Sequence, residues 1–223
     1  LTGTNVSNNN AGSGGGIATV FAVSPLSLTL TGSNITDNSA SRQGGGIDHQ
    51  FGNLTLTNST VSNNTAPVGG GINSREGTLT LNNTAVTQNT QTQNPQTGIT
   101  LRGGTANFTN QSSISGGVTG LAVSGSATVN LGNTRFSGQT GNYIALTNGA
   151  LAGQTLNATG VSFDGVTSST ATVPQLFNIQ SKITDALTNP EVGFVQLKAN
   201  NLFVTPGNSI QNAVNVAANG DTV

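Results

Sequence analysis

Cysteine, methionine and tryptophan are absent from this chain of 223 residues, and charged residues make up only 6% of it. The lack of cysteine excludes disulfide stapling. It leaves an extracellular home open, because stacked backbone ladders and apolar columns can hold a fold without cross-links. Seven acids against six bases give a formal net charge of −1, too little to attract nucleic acid or anionic lipid over a distance. No apolar run is long enough to cross a bilayer, and no basic-then-apolar leader opens the chain. The first residues already lie inside a repeat, so the missing leader says little about export. Hydrophobic residues reach only 33%, close to the composition of disordered chains. What decides against disorder is where the few large aliphatics fall.

Gly-Gly-Gly-Ile occurs three times, ending at Ile17, Ile47 and Ile72. A second phrase runs Leu28-Thr29-Leu30 with Ile35 and Asn38, then Leu54-Thr55-Leu56 with Val61 and Asn64, then Leu79-Thr80-Leu81 with Val86 and Asn89. Equivalent leucines at 28, 54 and 79 return after about 25 residues, the interval of a solenoid built by stacking one unit on itself. Alternation in Leu-Thr-Leu is a strand signal, since period two puts both leucines on one face. The unit is too short and too rich in Gly, Asn and Thr to hold an amphipathic helix. The expected fold is all-β: a right-handed single-stranded parallel β-helix of roughly six to seven coils of about 25 residues, followed by a short helix-containing cap or junction.

Three inward columns follow from the alignment. The first is Leu30, Leu56, Leu81, Phe108, Leu131 and Ala158. The second is Val6, Ile35, Val61, Val86, Ile114, Phe136 and Phe163. The third is Ile17, Ile47, Ile72, Ile99 and Ile144, with Leu121 fitting the intervening coil better than Val118. The triple glycines read as tight corners that bring backbone close to the next coil. Asn9, Asn38, Asn64 and Asn89 are expected to form a ladder at a bend, each bonding to nearby backbone and to its copy one coil away. Gly117 and Gln139 interrupt that series.

The repeat region is assigned to residues 1–165. Residues 166–192 read as a linker and an amphipathic capping helix over Gln175 to Leu187, because Leu176, Phe177, Ile179, Ile183 and Leu187 recur at helical spacing. Residues 193–223 read as a strand pair, Phe194–Leu197 and Leu202–Val204, with a short helix after Ser209 and the opening of a further solenoid at Thr222.

The glycine phrases and the hydrophobic-x-x-Asn endings resemble the right-handed parallel β-helix repeats of bacterial surface proteins, including the polymorphic outer-membrane type of autotransporter passenger. The stretch from Ser209 to Val223 is similar to the capping helix and first strand that open such solenoids in large secreted proteins. The resemblance implies an extracellular or cell-surface protein that needs no cofactor. Its partners would be further domains of the same polypeptide and polysaccharide or a host or neighbouring cell surface, with no nucleic acid and no direct membrane insertion by this segment.

The same solenoid carries adhesins, passive stalks and polysaccharide-cleaving enzymes, so function has to be argued from sites. Asp48, His49, Arg75 and Glu76 form the one polar cluster of note, a candidate weak sugar or metal site or a group of solvated loop charges. A lone histidine with one acid is thin for zinc, which takes at least three protein ligands. Thr29, Thr55 and Thr80 stand outward between leucines and continue as Asn107, Asn130 and Asn157. That face would contact sugar, or it is an ordinary solvent face where Thr is favoured. The leading expectation is a non-enzymatic structural or adhesive segment of a large exported protein, with no catalytic residue and no metal site. The alternatives are a carbohydrate-active β-helix, lyase or glycoside hydrolase, and an ice- or crystal-binding Thr/Asn face.

Overall fold

The computed structural model describes residues 1–20, 26–92 and 97–223. The chain forms a right-handed parallel β-solenoid of about six turns, with a short helical cap and junction at its C-terminal end. Three long sheets run along the axis, and each is named here for its inward column. The valine sheet pairs Val6 with Ile35, then Val61, Val86, Ile114, Phe136 and Phe163. In the leucine sheet Leu30, Leu56, Leu81 and Phe108 are successive partners. The isoleucine sheet joins Ile17, Ile47, Ile72, Ile99, Leu121 and Ile144. Leu121 and not Val118 occupies its expected place. From the second coil onward these side chains are almost wholly shielded from water and belong to one continuous core. Burying a large aliphatic side chain contributes about 1.5–3 kcal/mol, so the columns supply the main drive for stacking.

The triple glycines act at one corner. Gly14, Gly44 and Gly69 have φ of +60°, +61° and +56°, a region open to glycine at little cost. The residue after each has ordinary φ but no room: a Cβ on Gly45 would stand 2.3 Å from the carbonyl oxygen of Gly70. One glycine makes the bend, and the next allows the coils to touch. The column Asn8, Asp37, Asn63 and Gln88 is also left-handed, with φ between 52° and 58°, which accounts for its Asn and Asp content.

The asparagine ladder forms as expected. Asn64 Oδ1 accepts from the backbone N–H of Asn38 at 2.9 Å and from its Nδ2 at 3.0 Å. Asn64 Nδ2 donates to Asn89 Oδ1 at 3.0 Å and back to the Ile35 carbonyl at 2.9 Å. Asn9 and Asn38 repeat the pattern one rung earlier. Beyond Gly117, Gln139 keeps part of it, donating to the carbonyl of Ile114 at 3.1 Å, while its buried Oε1 has no donor.

The C-terminal third departs from expectation in three ways. The helix, α1, spans Val173–Gln180 and not Gln175–Leu187. It starts early because Pro174 is tolerated in the first turn and because Thr172 and Gln175 form a capping box. It stops early because Ile183 and Thr184 are a strand beneath Ile144 and Ala145, extending the isoleucine column by another rung. Leu176 and Ile179 enter the main core, so α1 does close its end. Secondly, Phe194–Gln196 pairs in parallel with Thr155–Asn157, and Leu202–Val204 is not a strand. No strand pair forms within residues 193–204, since a solenoid satisfies strands against the neighbouring coil. Thirdly, the leucine ladder ends at Asn130. Leu131 and Ala158 are buried, but a cleft of about 420 Å³ parts Val129–Gly132 from Thr155–Gly160. The second helix, α2 (Ile210–Val216), has the expected cap, with Ser209 Oγ accepting from Asn212 N–H.

Candidate functional site

The isoleucine strands carry Asp48 and His49 into different surroundings. Strand alternation turns Ile47 inward, Asp48 outward and His49 inward. Both polar residues are fully buried. Asp48 accepts from Asn73 Nδ2 at 2.7 Å through one oxygen, and from Gln43 Nε2 at 3.0 Å and Gln50 Nε2 at 2.8 Å through the other. His49 lies 2.9 Å from Ser74 Oγ through Nδ1 and 3.3 Å from the Gly52 carbonyl through Nε2. A carbonyl only accepts, so Nε2 carries the proton and Nδ1 accepts from the serine. Burial pushes the His49 pKa below its ordinary value, against the raising effect of the Gly52 carbonyl and Asp48. With both ring nitrogens engaged, the imidazole is a neutral structural group.

Arg75 and Glu76 follow at the strand end. Arg75 is half-buried and donates to Gln43 Oε1 at 2.5 Å, while Glu76 is exposed. Gln43 thus joins Arg75 to Asp48 through its two amide atoms. The structure gathers Asp48, His49 and Arg75 around adjoining rungs and leaves Glu76 facing water. Among the described residues no three His, Asp or Glu side chains converge on a point where a metal ion would sit.

Thr29, Thr55 and Thr80 are register partners on the outer face of the leucine sheet, continued by Asn107 and Asn130. Asn130 Nδ2 donates to Asn107 Oδ1 at 2.7 Å. The flanking outward columns are Ser27, Asn53, Thr78, Thr105 and Thr128 on one side, and Thr31, Thr57, Asn82 and Thr109 on the other. All these side chains are hydroxyls or amides. Asn157 pairs with Gln196 and does not continue the face by hydrogen bonding.

No family model, curated protein or solved structure matches the chain. Function therefore has to be read from the molecule's own surfaces, two of which the repeat pattern did not single out.

One joins Tyr143, Asp164 and Lys182 at the last full coil. Tyr143 donates to Asp164 Oδ2 at 2.5 Å, and Lys182 Nζ sits 4.0 Å from the same oxygen and 4.8 Å from the centre of the tyrosine ring. The hydrogen bond from Tyr143 leads in holding the Asp164 carboxyl below its ordinary pKa, and burial, then Asp164, raise that of the tyrosine. Every member has a partner, so the cluster ties the last coil to the segment after α1. The other is a cleft of about 480 Å³ on the outer side of the isoleucine sheet, with Arg102 on its rim and Thr100, Ala122 and Ala145 along its floor. Carrying the register of Ile72 and Ile99 forward by three residues sets Arg102 next to Arg75, the signal in the sequence that would have found it.

Proposed function

We propose that this chain is a non-enzymatic, rigid segment of a larger exported surface protein, serving as a spacer that also touches carbohydrate along its sides. The observation that carries the reading is the registered outer face of the leucine sheet. It sets hydroxyl and amide side chains in three parallel columns on a rod whose interior is locked by apolar stacking and the asparagine ladder. Such a face offers hydrogen bonds at intervals of about 4.8 Å along the axis, with low side-chain entropy to lose because Thr is stiff at χ1. From Val6 to Phe163 the valine column has seven members; at about 4.8 Å a step it extends for about 29 Å. The low charge and freedom from cysteine fit an extended body that relies on backbone pairing for stability outside the cell.

A glycan array combined with a polysaccharide-cleavage screen on the intact polypeptide tests this. Saturable binding without released product is the expected result. Release of oligosaccharide from any polymer in the panel overturns the non-enzymatic assignment.

A further inference from the structure

The Arg102 cleft is a trench on the isoleucine sheet whose floor is the outward column Thr100, Ala122 and Ala145; upstream that column continues under cover as Asn73 and Asp48, both fully buried. Beside it, Arg75 and Arg102 stand on successive rungs: the N–H of Arg75 bonds to the His49 carbonyl at 3.0 Å, and that of Arg102 to the Ser74 carbonyl at 2.8 Å. Their backbones are therefore about 4.8 Å apart. Burial, and then the positive charge of Arg75, pull the Arg102 pKa below its ordinary value, while Asp48 opposes them.

Two arginines on adjacent rungs favour anionic oxygens, and the chain supplies few. Asp48 is the carboxylate acting on Arg102, yet its oxygens are already taken by Asn73, Gln43 and Gln50. Arg75 has one neutral acceptor, Gln43, and its buried Nε has none. Arg102 is exposed, and among the described residues its side chain has no hydrogen-bond or ion-pair partner. Downstream, the rim continues as hydroxyls, Ser124 beside Thr147. Ser124 and Thr147 donate to the carbonyls of Leu101 and Val123 and keep oxygens free to accept, so what the cleft offers is a cation at Arg102 for an anionic group and hydroxyl acceptors on the rungs that follow, over a narrow floor of small side chains.

We propose that this trench is a binding site for an acidic polysaccharide, its carboxylate or sulfate held by Arg102 with Arg75 behind it and its hydroxyls lying against Ser124 and Thr147. The proposal deepens the carbohydrate-contacting reading above and rests on it. An oligomer is favoured over a single anion because the floor, Thr100, Ala122 and Ala145, and the rim, Arg102, Ser124 and Thr147, extend along the axis over three rungs. The assignment also accounts for a positive pair on a chain whose net charge is −1.

The test is titration of the intact chain with a uronic acid hexamer, its carboxyl-reduced neutral counterpart, a sulfated oligosaccharide of the same length and a polyglutamate peptide. Calorimetry gives affinity, and amide chemical shifts locate the contact. The uronate or the sulfated oligomer is expected to bind, with shifts confined to residues near Arg102, and the carboxyl-reduced hexamer to bind at least about tenfold more weakly. Arg102→Gln should lose about tenfold, Arg102→Lys should lose less, and the distant Arg135→Gln should match the parent. Affinity for the charged oligomer should fall as salt rises. Equal binding of the reduced hexamer, or an Arg102→Gln variant that binds like the parent, overturns the site; neutral binding with shifts on the leucine sheet does so while keeping the carbohydrate-contacting reading. Failure of every glycan overturns both. Polyglutamate binding as tightly as the uronate removes the saccharide assignment.

Discussion

Replacing Asn64 by alanine separates the ladder's contribution from that of the apolar columns. Asn64 is fully buried and makes four side-chain hydrogen bonds. Its removal strands two buried donors on Asn38, the backbone N–H and one hydrogen of Nδ2. The backbone N–H of Asn64 still reaches Asn89 Oδ1 at 3.0 Å, so damage is confined to one side of the rung. A stranded buried donor costs about 1–3 kcal/mol, and two of them give an expected loss of about 3–5 kcal/mol. Asn130→Ala is the control: the same residue type gives up one hydrogen bond on the exposed face, and the expected change is within about 0.5 kcal/mol. Urea unfolding followed by circular dichroism reads both, and hydrogen exchange at the Asn38 amide localises the effect. A loss under about 1 kcal/mol for Asn64→Ala, or unchanged protection of the Asn38 amide, would refute the claim that the ladder holds the coils together.

Gly45→Ala should destabilise by about 3 kcal/mol or more, because its Cβ meets a backbone oxygen that cannot move aside; Gly12→Ala, with open space and no left-handed φ, should be neutral or slightly stabilising, and thermal melting of the pair decides. Asp185 is buried and accepts from the N–H groups of Leu187 and Val195 and from Gln180, and burial raises its pKa to about 6. The folded protein therefore holds this proton more tightly than the unfolded chain does, so the contribution is complete below about pH 4 and is lost as pH rises through about 6, amounting to about 3 kcal/mol. Unfolding of Asp185→Asn and of the parent, compared at intervals across that window, should show the parent losing stability relative to the variant; a constant difference would count against the assignment. His49 has the opposite sense for a base: its lowered pKa gives stability that is present above about pH 6.5 and lost on acidification, so His49→Gln should flatten the acid limb of the same profile.

The columns were legible in the sequence because a solenoid repeats its demands: each inward rung needs an aliphatic, and Leu30, Leu56 and Leu81 answer in the same phrase. Leu121 could be chosen over Val118 on coil length alone. Where the chain leaves the repeat, local spacing misled. Ile179, Ile183 and Leu187 are four residues apart, as on a helix face, yet the open edge at Ile144 takes Ile183 as a strand; a tertiary ladder outweighs a weak local preference. Leu202–Val204 alternates like a strand, yet the pairing there is an isolated bridge between Asn201 and Thr222, with the Leu202 N–H on the Thr222 carbonyl at 2.8 Å. Asp48 and His49 look like solvent residues by type, and only the neighbouring coils reveal their amide, serine and carbonyl partners. Arg102 escaped notice because its coil has lost the triple glycine, leaving Thr97-Gly98-Ile99 to mark the corner.

The break in the leucine sheet after Asn130 bears on how the rod carries mechanical load. Before it tension along the axis is borne by the valine, leucine and isoleucine seams together, whereas from the break onward each joint has two: the valine and isoleucine seams at the break itself, then the isoleucine seam and the pairing of Thr155–Asn157 with Phe194–Gln196. Pulled end to end, the molecule is expected to yield in this two-seamed C-terminal part first, releasing slack before the asparagine-laced coils let go.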